Sequence, residues 1–325
     1  MKVGLIGYGR FAKLREECFK STNVTQVDIV GYFDPHCIDN TLAKFTKIEA
    51  LLREVDAVLI SVPPKLAPGY VQMSLQAGKH VFCEKPAAIN LDNLNEINTA
   101  VIERKVLAYG FNHRVHPSIE RMKEVIDSNK LGRILWMRGR YGKEVDDTYA
   151  NTWRCDKALN GGGILIDQGI HMVDLMAHLV GGFDGAQAVL STNYLNIDGV
   201  EDNGFITLYS TTRKITASLH TTITQWRYLF SLEIFLEKGS IVLNGLRTKS
   251  GRYGEEILTI KPNVENEMLM DVTEEKFAEN VSWQTEIDAF LVSCKNRVPY
   301  PYAGFDDAVR TTTLIDLIYK KAKWI

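Results

Sequence analysis

Short apolar runs separated by amphipathic stretches fill the N-terminal third of the chain. The segments 2–6, 27–33, 56–62, 80–83 and 106–111 read as strands, and the stretches between them carry helical periodicity. Strands that alternate with helices need right-handed parallel crossovers, which predicts a doubly wound α/β sheet with ligands held beyond the carboxyl ends of its strands. After residue 113 the pattern changes. A helical stretch at 118–129 precedes longer alternating segments at 133–141, 186–194, 204–210, 214–222, 230–236 and 240–244. Short turns such as Glu237-Lys238-Gly239 join several of them, which favours an open, mostly antiparallel sheet in an α+β second domain. The stretch 306–323 is again helical by periodicity. The pattern divides the chain into 1–113 and 114–325, with the C-terminal helix free to pack back on the first part. No internal repeat, low-complexity tract or long linker interrupts it.

Composition narrows the function classes. The 325 residues are 45% hydrophobic, enough for two domains with real cores. Lys plus Arg number 38 against 40 Asp plus Glu, and without a run of like charges the net charge of −2 argues against a nucleic-acid partner. No apolar run approaches the length of a membrane span or a signal core, so a cytoplasmic protein without a membrane partner is expected. The five cysteines form no C-x-x-C pair and read as reduced, mostly buried thiols.

The first motif follows the first strand. Gly7-Tyr8-Gly9-Arg10-Phe11-Ala12 fits G-x-G-x-x-G/A and opens a helix. Gly7 permits the tight turn, Gly9 lets backbone approach a pyrophosphate favoured by the helix N-terminus, and Ala12 allows close helix–sheet packing. Asp34 closes the second strand at the distance expected of a carboxylate that binds the adenosine ribose. Its charge repels a 2′-phosphate, and no Arg or Lys follows it before Lys44, so NAD is the expected cofactor rather than NADP.

Two further segments carry a family resemblance. Ala77-Gly-Lys-His-Val-Phe-Cys-Glu84-Lys85-Pro86 and Gly161-Gly-Gly-Ile-Leu-Ile-Asp167-Gln-Gly-Ile-His171-Met-Val-Asp174 resemble the A-G-K-H-V-x-x-E-K-P and G-G-G-x-x-x-D-x-G-x-H-x-x-D signatures of the glucose-fructose oxidoreductase and inositol dehydrogenase (Gfo/Idh/MocA) family. The resemblance implies an N-terminal Rossmann domain and a C-terminal open-faced sheet that forms a dimer or tetramer interface. Trp153-Arg154, Glu201-Asp202-Asn203, Thr224-Gln225-Trp226 and Gly254-Glu255 are similar to a branch that modifies sugars for surface polysaccharides. One departure is Val62-Pro63-Pro64-Lys65-Leu66-Ala67, which lacks the His that many relatives carry after the proline.

By this resemblance the cofactor residues are Gly7, Tyr8, Gly9, Arg10, Phe11, Asp34, Ser61, Val62, Pro63, Glu84, Lys85 and Asn112. Removing hydride from a sugar carbon also requires taking the hydroxyl proton, and Lys85 and His171 are the acid–base candidates. Pro86 is a candidate for a cis bond that aims Lys85. If 167–171 is helical, Asp167 and His171 share one face, so that Asp167 positions His171 or holds a substrate hydroxyl. Asp174 and His178 extend that stripe, which could bind a divalent metal but is read as a polar helix face with no metal, since hydride transfer to nicotinamide needs none. Gly161 to Gly163 are expected to let backbone approach the sugar. Arg114, Tyr141, Trp153, Arg154 and Trp226 are the substrate-contact candidates, because Arg suits phosphates and aromatic faces suit rings. Together these predict an NAD-dependent oxidoreductase acting on a secondary alcohol or ketone of a sugar, nucleotide-linked by the finer likeness. The alternatives are an NAD-retaining glycosidase using transient oxidation and elimination, and a non-enzymatic NAD-responsive regulator.

Overall fold

Val3, Leu5, Ala57, Leu59, Phe82 and Ala108 are fully buried, as strands covered by helices on both faces require. They belong to the first of two compact units in the computed structural model, which describes residues 1–98, 105–146, 148–263 and 272–325. The first unit comprises Met1–Asn112 and Ser282–Thr312; the second comprises His113–Val281 and Thr313–Ile325.

In the first unit the described elements run β1 (Lys2–Ile6), α1 (Arg10–Ser21), β2 (Asp28–Phe33), α2 (Ile48–Glu54), β3 (Ala57–Ile60), α3 (Ala67–Gln76), β4 (His80–Glu84), α4 (Leu91–Leu94) and β5 (Leu107–Gly110). All pairings are parallel in the order β2-β1-β3-β4-β5. The order reverses beside β1, so the carboxyl ends of β1 and β3 flank the crevice where such sheets bind ligands.

The segment Ser282–Thr312 falls with this unit, not with the 114–325 piece to which the sequence pattern assigns it. The reason is apolar. Ile287, Phe290, Leu291 and Cys294 join the core of Leu5, Phe19 and Phe82, with the Phe82 and Phe290 rings edge-on at 5.6 Å. At the same place Arg15 of α1 is wholly buried. It donates to Glu84 Oε1 at 2.6 Å, to Glu286 Oε2 at 2.6 Å and to the Trp283 carbonyl at 3.2 Å, with its guanidinium 4.1 Å from the Trp283 ring. Burial works against the Arg15 charge, but Glu84 and Glu286 outweigh it and raise its pKa further.

The second unit begins with a 3-10 turn (Asn112–Val115), α5 (Pro117–Asp127) and β6 (Ile134–Gly142). Two 3-10 turns (Tyr149–Asn151, Trp153–Cys155), α6 (Lys157–Asn160), a π-helical turn (Leu165–Gly169) and α7 (Ile170–Val180) follow. Then come β7 (Gly185–Ser191), β8 (Asn203–Ser210), β9 (Ile215–Thr222), β10 (Leu229–Leu236), β11 (Gly239–Asn244), β12 (Glu256–Pro262) and β13 (Thr273–Phe277). Helix α8 (Ser282–Asn296) lies in the first unit, α9 (Phe305–Lys321) has residues in both, and β14 (Ala322–Trp324) ends the chain.

The sheet order is β13-β12-β11-β10-β6-β9-β8-β7-β14, antiparallel except for the β6–β9 and β7–β14 pairs. Both outermost strands escape the sequence pattern. β13 reads Thr-Glu-Glu-Lys-Phe, a charged edge that shows little apolar alternation, and β14 continues the helical run expected to reach 323. On β9, Ile215, Ala217 and Leu219 face the buried side while Thr216 and Ser218 are exposed. Cys18, Cys83, Cys155 and Cys294 are buried free thiols, and Cys37 is half-buried. No described helix is long and apolar enough to cross a membrane.

Replacing Arg15 by Met strands Glu84 and Glu286 in apolar surroundings. The expected cost in chemical unfolding is about 3–5 kcal/mol; a loss below about 1 kcal/mol, the range of an exposed pair, contradicts this reading.

Candidate functional site

Gly7 leaves β1 at φ +79°, and an added Cβ there would lie 2.3 Å from the Ser61 carbonyl, so glycine alone fits where β1 and β3 come together. Gly9 caps α1 without a side-chain bond, and the space its Cβ would occupy is open. Open space before an uncapped helix N-terminus fits a pyrophosphate, which the first-turn N–H groups and the helix dipole favour. Ala12 is fully buried under this turn.

Asp34 is fixed before any ligand arrives. Its Oδ2 accepts from the Tyr8 N–H at 2.8 Å, and its Oδ1 accepts from the His36 and Cys37 N–H groups at 2.8 and 3.0 Å. Burial works to raise its pKa, but these backbone donors outweigh it and hold the carboxylate below its ordinary range. The nearest expected cation, Lys44, donates to the Cys37 carbonyl at 2.7 Å, and Lys13 pairs with Asp39 at 2.6 Å. The chain's own residues thus fit a dinucleotide whose ribose hydroxyls meet a negative group.

The remaining cofactor candidates divide. Arg10 is exposed, and Phe11 is partly exposed with its ring stacked on Trp283 at 5.9 Å. Ser61, Val62 and Pro63 are half-buried beyond β3. Tyr8 departs from expectation, because its ring is buried against Tyr32 at 4.5 Å and its hydroxyl donates to Glu16 at 2.7 Å. Only its backbone faces the loop, and that N–H serves Asp34. Glu84 is held by Arg15, and Asn112 is buried with its amide donating to Ser282 Oγ at 3.1 Å. Lys85 is half-buried one residue past β4, and the Lys85–Pro86 bond is cis.

In the second unit the stretch bearing Asp167 and His171 is helical, but it starts as a π-helical turn and not as a regular α-helix. The N–H of Ile170 reaches the carbonyl of Leu165, an i→i−5 bond, so the π-helical turn carries Asp167 and α7 carries His171. Asp167 Oδ2 accepts from Lys143 Nζ at 3.1 Å and from the Tyr149 hydroxyl at 3.4 Å, and its Oδ1 accepts from Arg154 Nε at 3.3 Å. His171 is buried with its ring stacked on His113, centroids 3.8 Å apart and planes 17° from parallel. His113 Nε2 is hydrogen-bonded to the Tyr141 hydroxyl at 2.9 Å. Burial, then Tyr253 and Asp167 nearby, push the Tyr141 pKa well above the ordinary tyrosine value, so its phenol stays protonated.

Asp174 and Arg114 leave the expected roles. Arg114 donates from Nε and Nη2 to Asp174 at 2.7 and 2.6 Å, both side chains buried, so the planar pair that could grip a phosphate is consumed inside the fold. Asp174 of the polar stripe is thus committed to Arg114, and among the described residues no group of three or more His, Cys, Asp and Glu could hold a metal ion. Tyr141 lies beside His171, ring centroids 6.4 Å apart, while Arg154 reaches Asp167. The Arg154 guanidinium lies 4.4 Å from the Trp153 ring. Trp226 stands apart, exposed at φ +55° with its ring edge-on to Tyr194 at 5.3 Å.

The triple glycine has a different partner from the expected sugar. A Cβ on Gly163 would lie 2.0 Å from the Glu201 carbonyl oxygen. Glu201 takes three consecutive N–H groups: Gly163 at 2.9 Å and Leu165 at 2.8 Å by its carboxylate, and Ile164 at 2.9 Å by its carbonyl. The Tyr319 hydroxyl donates to the same carboxylate at 2.8 Å. Burial nevertheless prevails over these donors and raises the Glu201 pKa to about 6.

Sequence reasoning did not single out Lys143, Tyr149, His113 or Arg15. Arg15 carried a signal, since it lies on the buried stripe of Ala12, Arg15 and Phe19 at spacings of three and four. The others reach the site from turns and strand ends with no motif of their own.

Comparison with known proteins follows this division. Residues 1–113 match a family model described as an oxidoreductase family with an NAD-binding Rossmann fold, and residues 119–242 match the GFO/IDH/MocA C-terminal domain. The chain is 33% identical over 142 residues to levoglucosan dehydrogenase of Pseudarthrobacter phenanthrenivorans, covering 43% of this chain and 36% of that protein. It is 33% identical over 143 residues to D-glucoside 3-dehydrogenase of Escherichia coli, covering 44% and 40%. Each alignment spans less than half of the relative's own length. The solved structure of levoglucosan dehydrogenase in complex with NADH and L-sorbose shares the fold, with a TM-score of 0.86, 20% identity, and coverage of 99% of this chain and 96% of that one.

A carboxyl that binds its proton more tightly when folded stabilises the protein below its unfolded pKa and loses that contribution as pH rises through its folded pKa. For Glu201 the window runs from 4.5 to about 6, and its size is about 2 kcal/mol. Glu201→Gln, neutral throughout, is expected to be less stable overall because one donor loses its acceptor, and to lack this fall in chemical unfolding across the window. Parallel pH curves for the two proteins contradict the assignment.

Proposed function

The chain belongs to the Gfo/Idh/MocA oxidoreductase family, and from that premise we propose that it transfers hydride between NAD(H) and a secondary alcohol or ketone of a sugar, with a nucleotide-linked sugar as the finer reading. The observation that carries this is the open, uncapped N-terminus of α1 beside a pre-fixed Asp34, in a chain that also holds Lys85 just past a strand end and a buried His171. NAD, when bound, supplies the hydride acceptor or donor. Asp34 would hold its adenosine ribose, and the backbone from Gly9 onward its pyrophosphate.

Lys85 and His171 handle the substrate proton. Oxidation of an alcohol carbon releases a hydride and leaves the hydroxyl proton to be taken by a base, and reduction returns it. Lys85 has Glu84 removed from competition by Arg15. His171 lies in a buried aromatic setting that excludes water. Asp167, engaged by Lys143, Tyr149 and Arg154, accepts sugar hydroxyls in exchange for these donors, and the Trp153 ring offers an apolar face.

Self-association belongs to the same reading. The open face of the second sheet carries Trp136 and Phe205, 40% and 56% exposed, with Trp136 stacked on Phe235 at 3.9 Å. Aromatic surface of this kind supports a homo-oligomer through the sheet. Light scattering is expected to report a dimer or larger, and a monomer at micromolar concentration contradicts it. The protein is assigned to the cytoplasm.

Nicotinamide absorbance followed against free sugars, glycosides, anhydro-sugars and nucleotide-linked hexoses, with NAD and NADP in parallel, tests the activity. Turnover with NAD is expected on at least one sugar, and Lys85→Ala and His171→Ala are each expected to cut kcat by about a hundredfold or more with NADH affinity nearly intact. Unchanged turnover in either variant removes that residue from the mechanism.

A further inference from the structure

His171 meets a second imidazole face to face. The stack on His113 is tighter than edge contact, and the His113 plane is itself set by the Tyr141 hydroxyl on Nε2. Both rings are buried, so neither charge would be screened by water. Two imidazolium rings at this separation repel, and the pair therefore resists taking its second proton.

We propose that His113 is a positioning residue for His171, whose ring plane it fixes and whose neutral, proton-accepting form it favours. The inference rests on the reading of His171 as an acid–base group. It adds a stacked imidazole as an influence on that group's readiness.

The charged and titratable groups around the pair agree with this. From the turn before α5 come Arg114, paired with Asp174 of α7, and His116, whose Nδ1 is bonded to Glu256 of β12 at 3.1 Å. From β6 comes Tyr141, with Tyr253 beyond it at 5.4 Å. From the π-helical turn comes Asp167, answered by Lys143 and Arg154. Asp174, Glu256 and Asp167 are thus each matched by a cation or a histidine.

Carbon-detected NMR of the full-length protein labelled at histidine, with His171→Gln used to assign the resonance, reads the protonation of each ring directly. In the unaltered protein the His113 and His171 carbons are expected to titrate in two coupled steps, the second more than about one pH unit below the first. In His113→Phe, which keeps a flat ring but removes the second charge, the His171 midpoint is expected to rise by about one unit, a tenfold gain in proton affinity. Independent, single-step titration of both rings overturns the proposal even if the variant fails to fold, and so does an unmoved midpoint in a folded His113→Phe. The readout needs no turnover. A coupled titration accompanied by full activity in His171→Ala would therefore sink the catalytic reading while leaving the pairing of the rings intact.

Discussion

One buried carboxylate sets the site of the second unit. Glu201 takes the N–H groups of Gly163, Ile164 and Leu165, the donors that a helix leaves unsatisfied at its start. It thereby fixes where the helical segment bearing Asp167 and His171 begins. The close approach leaves no space for a Cβ at Gly163, which is why that position is glycine. Burial at this place outweighs the donors around Glu201 and favours its protonated form. The first unit repeats the principle with opposite electrostatics: Glu84, beside Lys85, is pinned by the buried Arg15. In both units a buried side chain fixes a near neighbour of a residue assigned to the chemistry.

Around these anchors the polar groups are sorted by what they already satisfy. Arg114 and Asp174 neutralise each other inside the fold and have little to offer a ligand. Asp34 is held by three N–H groups, two on Oδ1 and one on Oδ2, which leaves a lone pair on Oδ2 for a ribose hydroxyl. Asp167 is surrounded by donors that can yield to a sugar. The distinction between a structural ion pair and a working one lies in burial and geometry, which residue type alone does not reveal.

Much of the fold was legible in the chain because its signals are local and steric. The alternation of Val3, Leu5 and their counterparts with amphipathic helices marks the parallel sheet, and Gly7-x-Gly9 marks the turn beside β3. The charged strand β13 and the short β14 carried no apolar alternation to read. Ser282–Thr312 was misassigned because sequence order says nothing about which core Phe290 will enter. At the site, the D-x-x-x-H spacing was legible, but the π-helical turn that carries Asp167 was not. The pairings of Arg114 with Asp174 and of Gly163 with Glu201 were not legible, since those partners are remote in sequence.

The central claim is that the uncapped start of α1 and the fixed Asp34 form a dinucleotide site that accepts NAD and refuses NADP. Calorimetric titration of the unaltered protein with NADH and with NADPH tests it most directly. The account predicts saturable one-to-one binding of NADH at least about tenfold tighter than NADPH, a difference of about 1.4 kcal/mol. Equal affinities, a preference for NADPH, or no heat from either nucleotide would contradict it.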